Sequence, residues 1–553
     1  MFKSFRDKIQ GIILVFLLII ESILAKCSIT PDINGHVNMP ASYTTIPIAA
    51  FYKCSSLRTV AFSGPITSIG QSSFFSSGLT AINIPKEVVT IGKLAFSGCS
   101  NLTNVTIPAN SLLTSIEQGV FESSGLNEII IPKGVNSISS NVFSGCSNLT
   151  KVILPDDSLL TSIEQGVFQS SGLTAINIPK GIKSISINAF SGCSSLIAVT
   201  IPVDSGLKTI EAKAFQSSGL TAINIPKGLV RIGESSFSNC QNLKNVIFED
   251  NSDLKTIDAK AFQSSGLTAI NIPKGLQRLS NGTFSGCTSL TKVTIPVDSA
   301  LTEISPFTFQ SSGLTAINIP KSILRIGESS FNNCSNLFSV MFSSDSALTV
   351  INHSAFQSAG LTAIEIPSTV KNILGKAFSS CSNLIFFTVS CASYMTIADD
   401  TFANSSSITT LELPPTVIYN GSISVDKIKS CADCPVGEFS TTGVEICTAC
   451  NLGKTTSNSG TIGSDPSACM LCSVGYYRSG SSCIKCPTGK TTYVAGNSTK
   501  CYPQLSQYCD SETYVGSELV CTISSTKNIC GTFIAESVII QQSGSIICAT
   551  AGN

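Results

Sequence analysis

The chain has 553 residues, only 12% of them charged, and 34 basic side chains balance 34 acidic ones. That balance removes any bulk attraction to nucleic acid or to an anionic membrane. Two histidines, His36 and His353, and no tryptophan leave little imidazole chemistry to consider.

The first 25 residues read as a secretory signal peptide. Lys3, Arg6 and Lys8 precede an apolar run from Gly11 to Ile20, and Ala25 is small enough for the position before a cleavage site. Ten apolar residues are too few to span a bilayer, which favours a cleaved signal over an uncleaved anchor. No membrane-spanning segment follows, and the final SVIIQQSGSIICATAGN is too polar for a lipid-anchor signal. The expected product is extracellular, either secreted or held at the cell surface.

Residues 26–56 form the expected amino-terminal cap, in which Cys27 and Cys54 are candidates for a closing bridge. A strict ruler follows. Cys99, Cys146, Cys193, Cys240, Cys287, Cys334 and Cys381 are each 47 residues apart, and SSGLTAINIPK recurs word for word at Ser76, Ser170, Ser217, Ser264 and Ser311. Each period holds two halves, such as LTAINIPKGLVRIGESSFSNCQN from Leu220 and LKNVIFEDNSDLKTIDAKAFQSSG from Leu243, so the unit is about 23 residues.

In each unit L-x-x-I-x-I reads as a short strand with Leu220, Ile223 and Ile225 facing inward, ended by Pro226, which has no N–H for the ladder. A second extended piece, Leu229 to Ile232, and a turn of helix closing at Phe237 are expected next. One unit has too few apolar side chains to offset the ordering of its own backbone, so neighbours must stack into a shared core. Strand starts from Leu57 to Ile408 predict sixteen parallel rungs over 57–418, with a degenerate one near Val37. At ~4.8 Å per rung the solenoid is roughly 75 Å long.

The IP after the strand (Ile225–Pro226) and the F-x-x-C turn (Phe237–Cys240) resemble BspA-like leucine-rich repeats of bacterial and protist surface proteins. The resemblance covers about 360 residues. It implies a leucine-rich-repeat solenoid, no catalysis, and a role in adhesion or host and matrix recognition.

Consecutive ladder cysteines sit two rungs apart, about 9.6 Å, beyond the ~7 Å Cα reach of a disulfide. Serines such as Ser218 stand on the rungs between. Cys99 through Cys381 are therefore expected to be buried free thiols that act as small apolar fillers.

The outward side chains of the first strands make the candidate binding face. Its central row includes Asn83, Thr106, Ile130, Ile153, Asn177, Thr200, Asn224, Ile247, Asn271, Thr294, Asn318 and Met341. A flanking row is mostly Ala, Asn and Lys. At the strand ends Lys86, Lys133, Lys180, Lys227, Lys274 and Lys321 alternate with Asp157, Asp204, Asp298 and Asp345. One reading is a repetitive surface for an extracellular protein or glycan, held by many weak contacts. The other is a solvated sheet whose charges neutralise one another. Nine Asn-x-Ser/Thr sequons stand at Asn101, Asn104, Asn148, Asn281, Asn333, Asn352, Asn404, Asn420 and Asn497 as candidate glycan sites, and a glycan on Asn104 would obstruct the face.

After Pro414–Pro415 the ruler stops. From Cys431 there are thirteen cysteines in 118 residues. Cys431, Cys434, Cys447 and Cys450, then Cys469, Cys472, Cys483 and Cys486, have spacings that suit either zinc or disulfides. Behind a secretory signal the compartment favours disulfides. Together with Cys501 they make a cysteine-rich region, 431–501, similar to ephrin-receptor-like and growth-factor- or TNF-receptor-like modules, with the pairing open. Residues 502–553 form a cysteine-containing tail.

No Ser-His-Asp set, metal-ligand histidine pair or phosphate-cradling glycine loop is present, and no cofactor is implied. The expected role is non-catalytic adhesion or recognition, with a structural coat or matrix glycoprotein as the alternative.

Overall fold

A computed structural model of the chain describes residues 27–427, except 390–392, 409 and 415, together with short strand segments of backbone beyond 427. The signal peptide, the cysteines from Cys431 to Cys501 and the sequon at Asn497 lie outside the residues whose side chains are described.

The described chain divides into two compact units. The first holds the residues up to Phe387, with 396–409 and 419–423; the second holds the rest. The second contains one parallel strand pair, Thr410–Leu413 with Ser424–Lys427, and antiparallel pairs further on.

The first unit is built from two strands per rung. Ala222–Ile225 is a first strand, with alternating exposed and buried side chains, and Arg231–Ile232 is the short second strand that follows it. Ala222–Ile225 pairs in parallel with Asn245–Phe248 of the next rung, Ile223 opposite Val246 and Asn224 opposite Ile247. Ala175 lies opposite Ala198 in the same way. The expected parallel stacking and inward Leu220, Ile223 and Ile225 are therefore present, and first strands recur seventeen times among the described residues.

The expected turn of helix is absent, and the described residues contain no helix at all. The stretch from Gly233 to Cys240 is a chain of tight turns whose amides alternate in direction. Ser236, Ser238 and Cys240 donate to the carbonyl three residues back, whereas Ser235, Phe237 and Asn239 donate to Ala259, Ala261 and Gln263 of the next rung. Ser235 (φ 53°) and Asn239 (φ 61°) are left-handed, which stops a right-handed helix from propagating and turns every second amide toward the neighbour. The stretch is thus a third hydrogen-bonded ladder.

This ladder explains two repeated letters. The residue before each ladder cysteine needs a positive φ and is glycine at Gly98, Gly145, Gly192 and Gly286, asparagine at Asn239 and Asn333, and serine at Ser380. The glycine of the SSGL phrase has a different reason, since a Cβ on Gly219 would lie 2.2 Å from the Ser194 carbonyl oxygen of the preceding rung.

Behind the turns the rings of Phe51 through Phe378 form one continuous stack. Phe237 lies 5.2 Å from Phe215 and 5.2 Å from Phe262, with planes nearly parallel. At one end Phe387 meets Phe378 edge-on, at 72°. At the other, Cys27 and Cys54 are joined in the expected bridge, their Cα atoms 5.3 Å apart. In the same cap His36 is half-buried, with Nδ1 2.8 Å from Thr59 Oγ1 and Nε2 3.0 Å from Asn38 Oδ1.

Candidate recognition surface

The pleat sends alternate side chains of the first strands outward, and the parallel register sets them in columns. Asn177, Thr200, Asn224, Asn271, Thr294 and Asn318 are all exposed in one column, as the sequence suggests. The apolar members are exposed too: Ile130 at 57%, Ile247 at 54% and Met341 at 51%.

The column just before each strand is organised differently. Thr174, Thr221, Thr268, Thr291 and Thr315 each donate a side-chain hydroxyl to the backbone carbonyl of the rung before, at 3.2–3.5 Å. These hydroxyls tie rungs together and have only their acceptor lone pairs left for a ligand. Where threonine gives way to a large apolar residue the side chain stands in solvent, as at Ile197, Phe338 and Ile385, and Phe386 follows. The signal for these was a large apolar residue at a position that other rungs fill with threonine.

At the strand ends Lys180 meets Asp204 at 2.7 Å, Lys274 meets Asp298 at 2.5 Å, and Lys321 meets Asp345 at 3.1 Å; Lys133 and Asp157 pair likewise. The lysines hold the exposed Asp157, Asp204 and Asp298 below the usual carboxylate range through charge-assisted hydrogen bonds, and Asp345 is lowered first by the Ser343 hydroxyl and then by Lys321. Lys227 forms no such pair among the described residues.

The seven ladder thiols are unpaired and buried. They are more than fillers. Cys240 Sγ donates to the Phe215 carbonyl at 3.0 Å and lies 3.3 Å from Ser218 Oγ. Its single hydrogen is committed to the carbonyl, so the serine hydroxyl donates to sulfur. Burial pushes the thiols of Cys99, Cys146, Cys193, Cys287 and Cys334 up to about 11, which keeps them protonated and unreactive.

The structure separates the sequons. Asn101, Asn104, Asn148, Asn281, Asn333, Asn404 and Asn420 are exposed, Asn104 on the strand face itself. Asn352 is half-buried and donates Nδ2 to the Ile326 carbonyl at 2.9 Å, and Asn333 donates to Ser311 Oγ at 3.2 Å. Among the described residues no cluster of acids, cysteines and histidines could hold a metal, and no helix is long and apolar enough to cross a membrane.

The model of the BspA type leucine rich repeat region matches in six overlapping copies, covering residues 21–150, 114–244, 161–276, 208–337, 255–385 and 302–431. The chain belongs to the BspA-type leucine-rich-repeat family. BspA-type proteins are often surface-exposed recognition or adhesion proteins, and their repeats are generally non-catalytic scaffolds for binding protein ligands. Similar solved structures include a leucine-rich repeat protein from Bacteroides ovatus (24% identity, 71% of this chain and 92% of that one, TM-score 0.46). Others are a leucine rich cell surface protein from Faecalibacterium prausnitzii (25%, 71% and 91%, 0.36) and the pneumococcal vaccine antigen PcpA (18%, 71% and 80%, 0.34). No protein with a curated description matches this BspA-type chain.

Proposed function

We propose that the protein is a non-catalytic adhesion or recognition protein, secreted or held at the cell surface, that binds an extracellular protein or glycan through the outward face of its first strands. The observation that carries this reading is the column Asn177, Thr200, Asn224, Asn271, Thr294 and Asn318: small neutral hydrogen-bonding side chains, all exposed, with Asn177 opposite Thr200 and Asn271 opposite Thr294. Each contact would be weak, and the regular stacking of the rungs lets a repetitive partner engage many at once. The exposed Phe338 and Phe386 add apolar contacts of the kind that anchor interfaces. The cysteine-rich region 431–501 serves in this reading as a stalk or second module, and the exposed sequons as glycan acceptors. The test is attachment of the purified chain to intact cells and to immobilised matrix proteins. Saturable attachment that falls at least tenfold in a folded N224E/N271E/N318E variant supports the reading, and attachment unchanged by those charges removes it.

The alternative, a coat or matrix glycoprotein, is favoured by the threonines and lysines already engaged within the solenoid. It requires self-assembly of the purified chain without a second component.

A further inference from the structure

The even balance of charge hides a local imbalance on the second strands. One outward column runs through Lys183, Lys208, Val230, Lys255 and Gln277, linked rung to rung by amide-to-carbonyl bonds of 2.8–2.9 Å. In the adjoining column Arg231 lies opposite Thr256, and Thr256 opposite Arg278. Five successive rungs therefore each present one cation: Lys183, Lys208, Arg231, Lys255 and Arg278. The second strands that hold or directly follow them belong to one unbroken six-stranded sheet. With rungs ~4.8 Å apart the run is roughly 19 Å long.

The nearby acids converge on the middle cation alone and leave the other four unpaired. Glu211 and Asp258 both turn to Arg231, at 2.9 and 2.6 Å. Lys183, Lys208, Lys255 and Arg278 are exposed and form no ion pair among the described residues. Lys208 Nζ rests instead on the Gly228 carbonyl at 3.3 Å, where a glycine Cβ would crowd it. The contrast with Lys180, Lys274 and Lys321, each matched to an aspartate, is sharp. The run is also bounded: the rung before offers Thr161 and Ser162, and the rung after offers Thr302 and Glu303.

We propose that this strip binds a linear polyanionic glycan, a sulfated or carboxylated polysaccharide, laid across the second strands in single file. A row one cation wide and closed by Glu303 complements a thread of negative charge rather than a flat anionic bilayer. Neither column contains an aromatic side chain on these rungs, so bases of a single-stranded nucleic acid would find no stacking platform. Affinity comes from release of the counterions condensed on the polyanion and weakens steeply with salt. The strip is a surface separate from the first-strand face, and binding there does not depend on what that face recognises.

The full chain is titrated with a size-defined heparin fragment at low and at physiological ionic strength. Saturable binding that weakens with salt is expected, along with a loss of at least about tenfold in K183Q/K208Q/K255Q/R278Q. K93Q/R325Q/K371Q/K376Q removes as many exposed, unpaired cations elsewhere and is expected to change affinity less than about twofold. If the first quadruple variant misfolds, the single variants K208Q and R278Q are each expected to lose about two- to threefold. No saturable binding, equal losses in the two quadruple variants, no loss in the single ones, or equal affinity for a single-stranded oligonucleotide of matched charge overturns the proposal. The strand-face variant N224E/N271E/N318E is expected to bind heparin normally, which keeps this outcome distinct from the attachment test.

Discussion

Ser218 and Cys240, on adjacent rungs, place Oγ and Sγ 3.3 Å apart, and the thiol passes its hydrogen on to the Phe215 carbonyl. The same relay joins Ser77 to Cys99, Ser124 to Cys146, Ser171 to Cys193, Ser265 to Cys287 and Ser312 to Cys334. Cys381 alone faces an alanine, Ala359, and burial pushes its thiol up to about 12. Ala359→Ser should supply the missing donor in a space that six sister rungs already fill with serine. A gain of ~1 kcal/mol in urea unfolding is expected, and Ser218→Ala should lose about as much. A destabilised Ala359→Ser chain would show that the serine is not a donor to sulfur.

The raised thiols set an alkaline limit. An unfolded cysteine ionises near ~8.5, whereas the folded ladder thiols stay protonated to about 11. A folded value above the unfolded one adds stability that is fully present below the unfolded value and disappears as pH rises through the folded value. The melting temperature should therefore hold near neutrality and fall between about pH 9 and 11. Replacing Cys193 and Cys287 by alanine should flatten that fall while lowering the melting temperature at pH 7. An equally steep alkaline fall in the double variant would assign the effect to other groups.

The same thiols show how much was legible beforehand. Strand direction, inward leucines, unpaired cysteines and the Lys–Asp alternation all follow from the 47-residue spacing, because a strict period fixes which residues become neighbours. Two features did not follow. The turns between Gly233 and Cys240 carry the Phe237 spacing of a helix, and only the sign of φ at Ser235 and Asn239 prevents one. The cation strip is spread over Lys183, Lys208, Arg231, Lys255 and Arg278, 23–25 residues apart in sequence. It emerges only when the second strands are set side by side, and it is divided between two columns, which conceals it from any single-column reading.

The phenylalanine stack should dominate stability. Phe237 is fully buried and touches a ring on each side, so its loss leaves a cavity and breaks two contacts. Phe237→Ala is expected to cost ~3–5 kcal/mol, measured by chemical denaturation. Since each rung contacts only its neighbours, hydrogen exchange should speed most in the adjacent rungs, around Phe215 and Phe262. Uniform acceleration along the whole solenoid would contradict that nearest-neighbour picture.

One column contains an avoidable cost. Ser236 and Ser330 each precede a stacked phenylalanine, are wholly buried, and have hydroxyls without a hydrogen-bond partner. On other rungs alanine holds the position, as at Ala214, Ala261 and Ala355, and is equally buried. Thr283 and Thr308 escape the penalty by donating to Ser280 and Ser305 carbonyls at 2.6 and 2.7 Å. Removing an unsatisfied buried hydroxyl recovers its desolvation cost while leaving a void smaller than a methyl group. Ser236→Ala and Ser330→Ala should each therefore stabilise the fold by roughly 1 kcal/mol. The sites lie four rungs apart with no shared neighbour, so the gains should add. A neutral or negative change in the double variant would mean that the hydroxyls are hydrated in solution, and crystallographic water at Ser236 Oγ would then be the observation to seek.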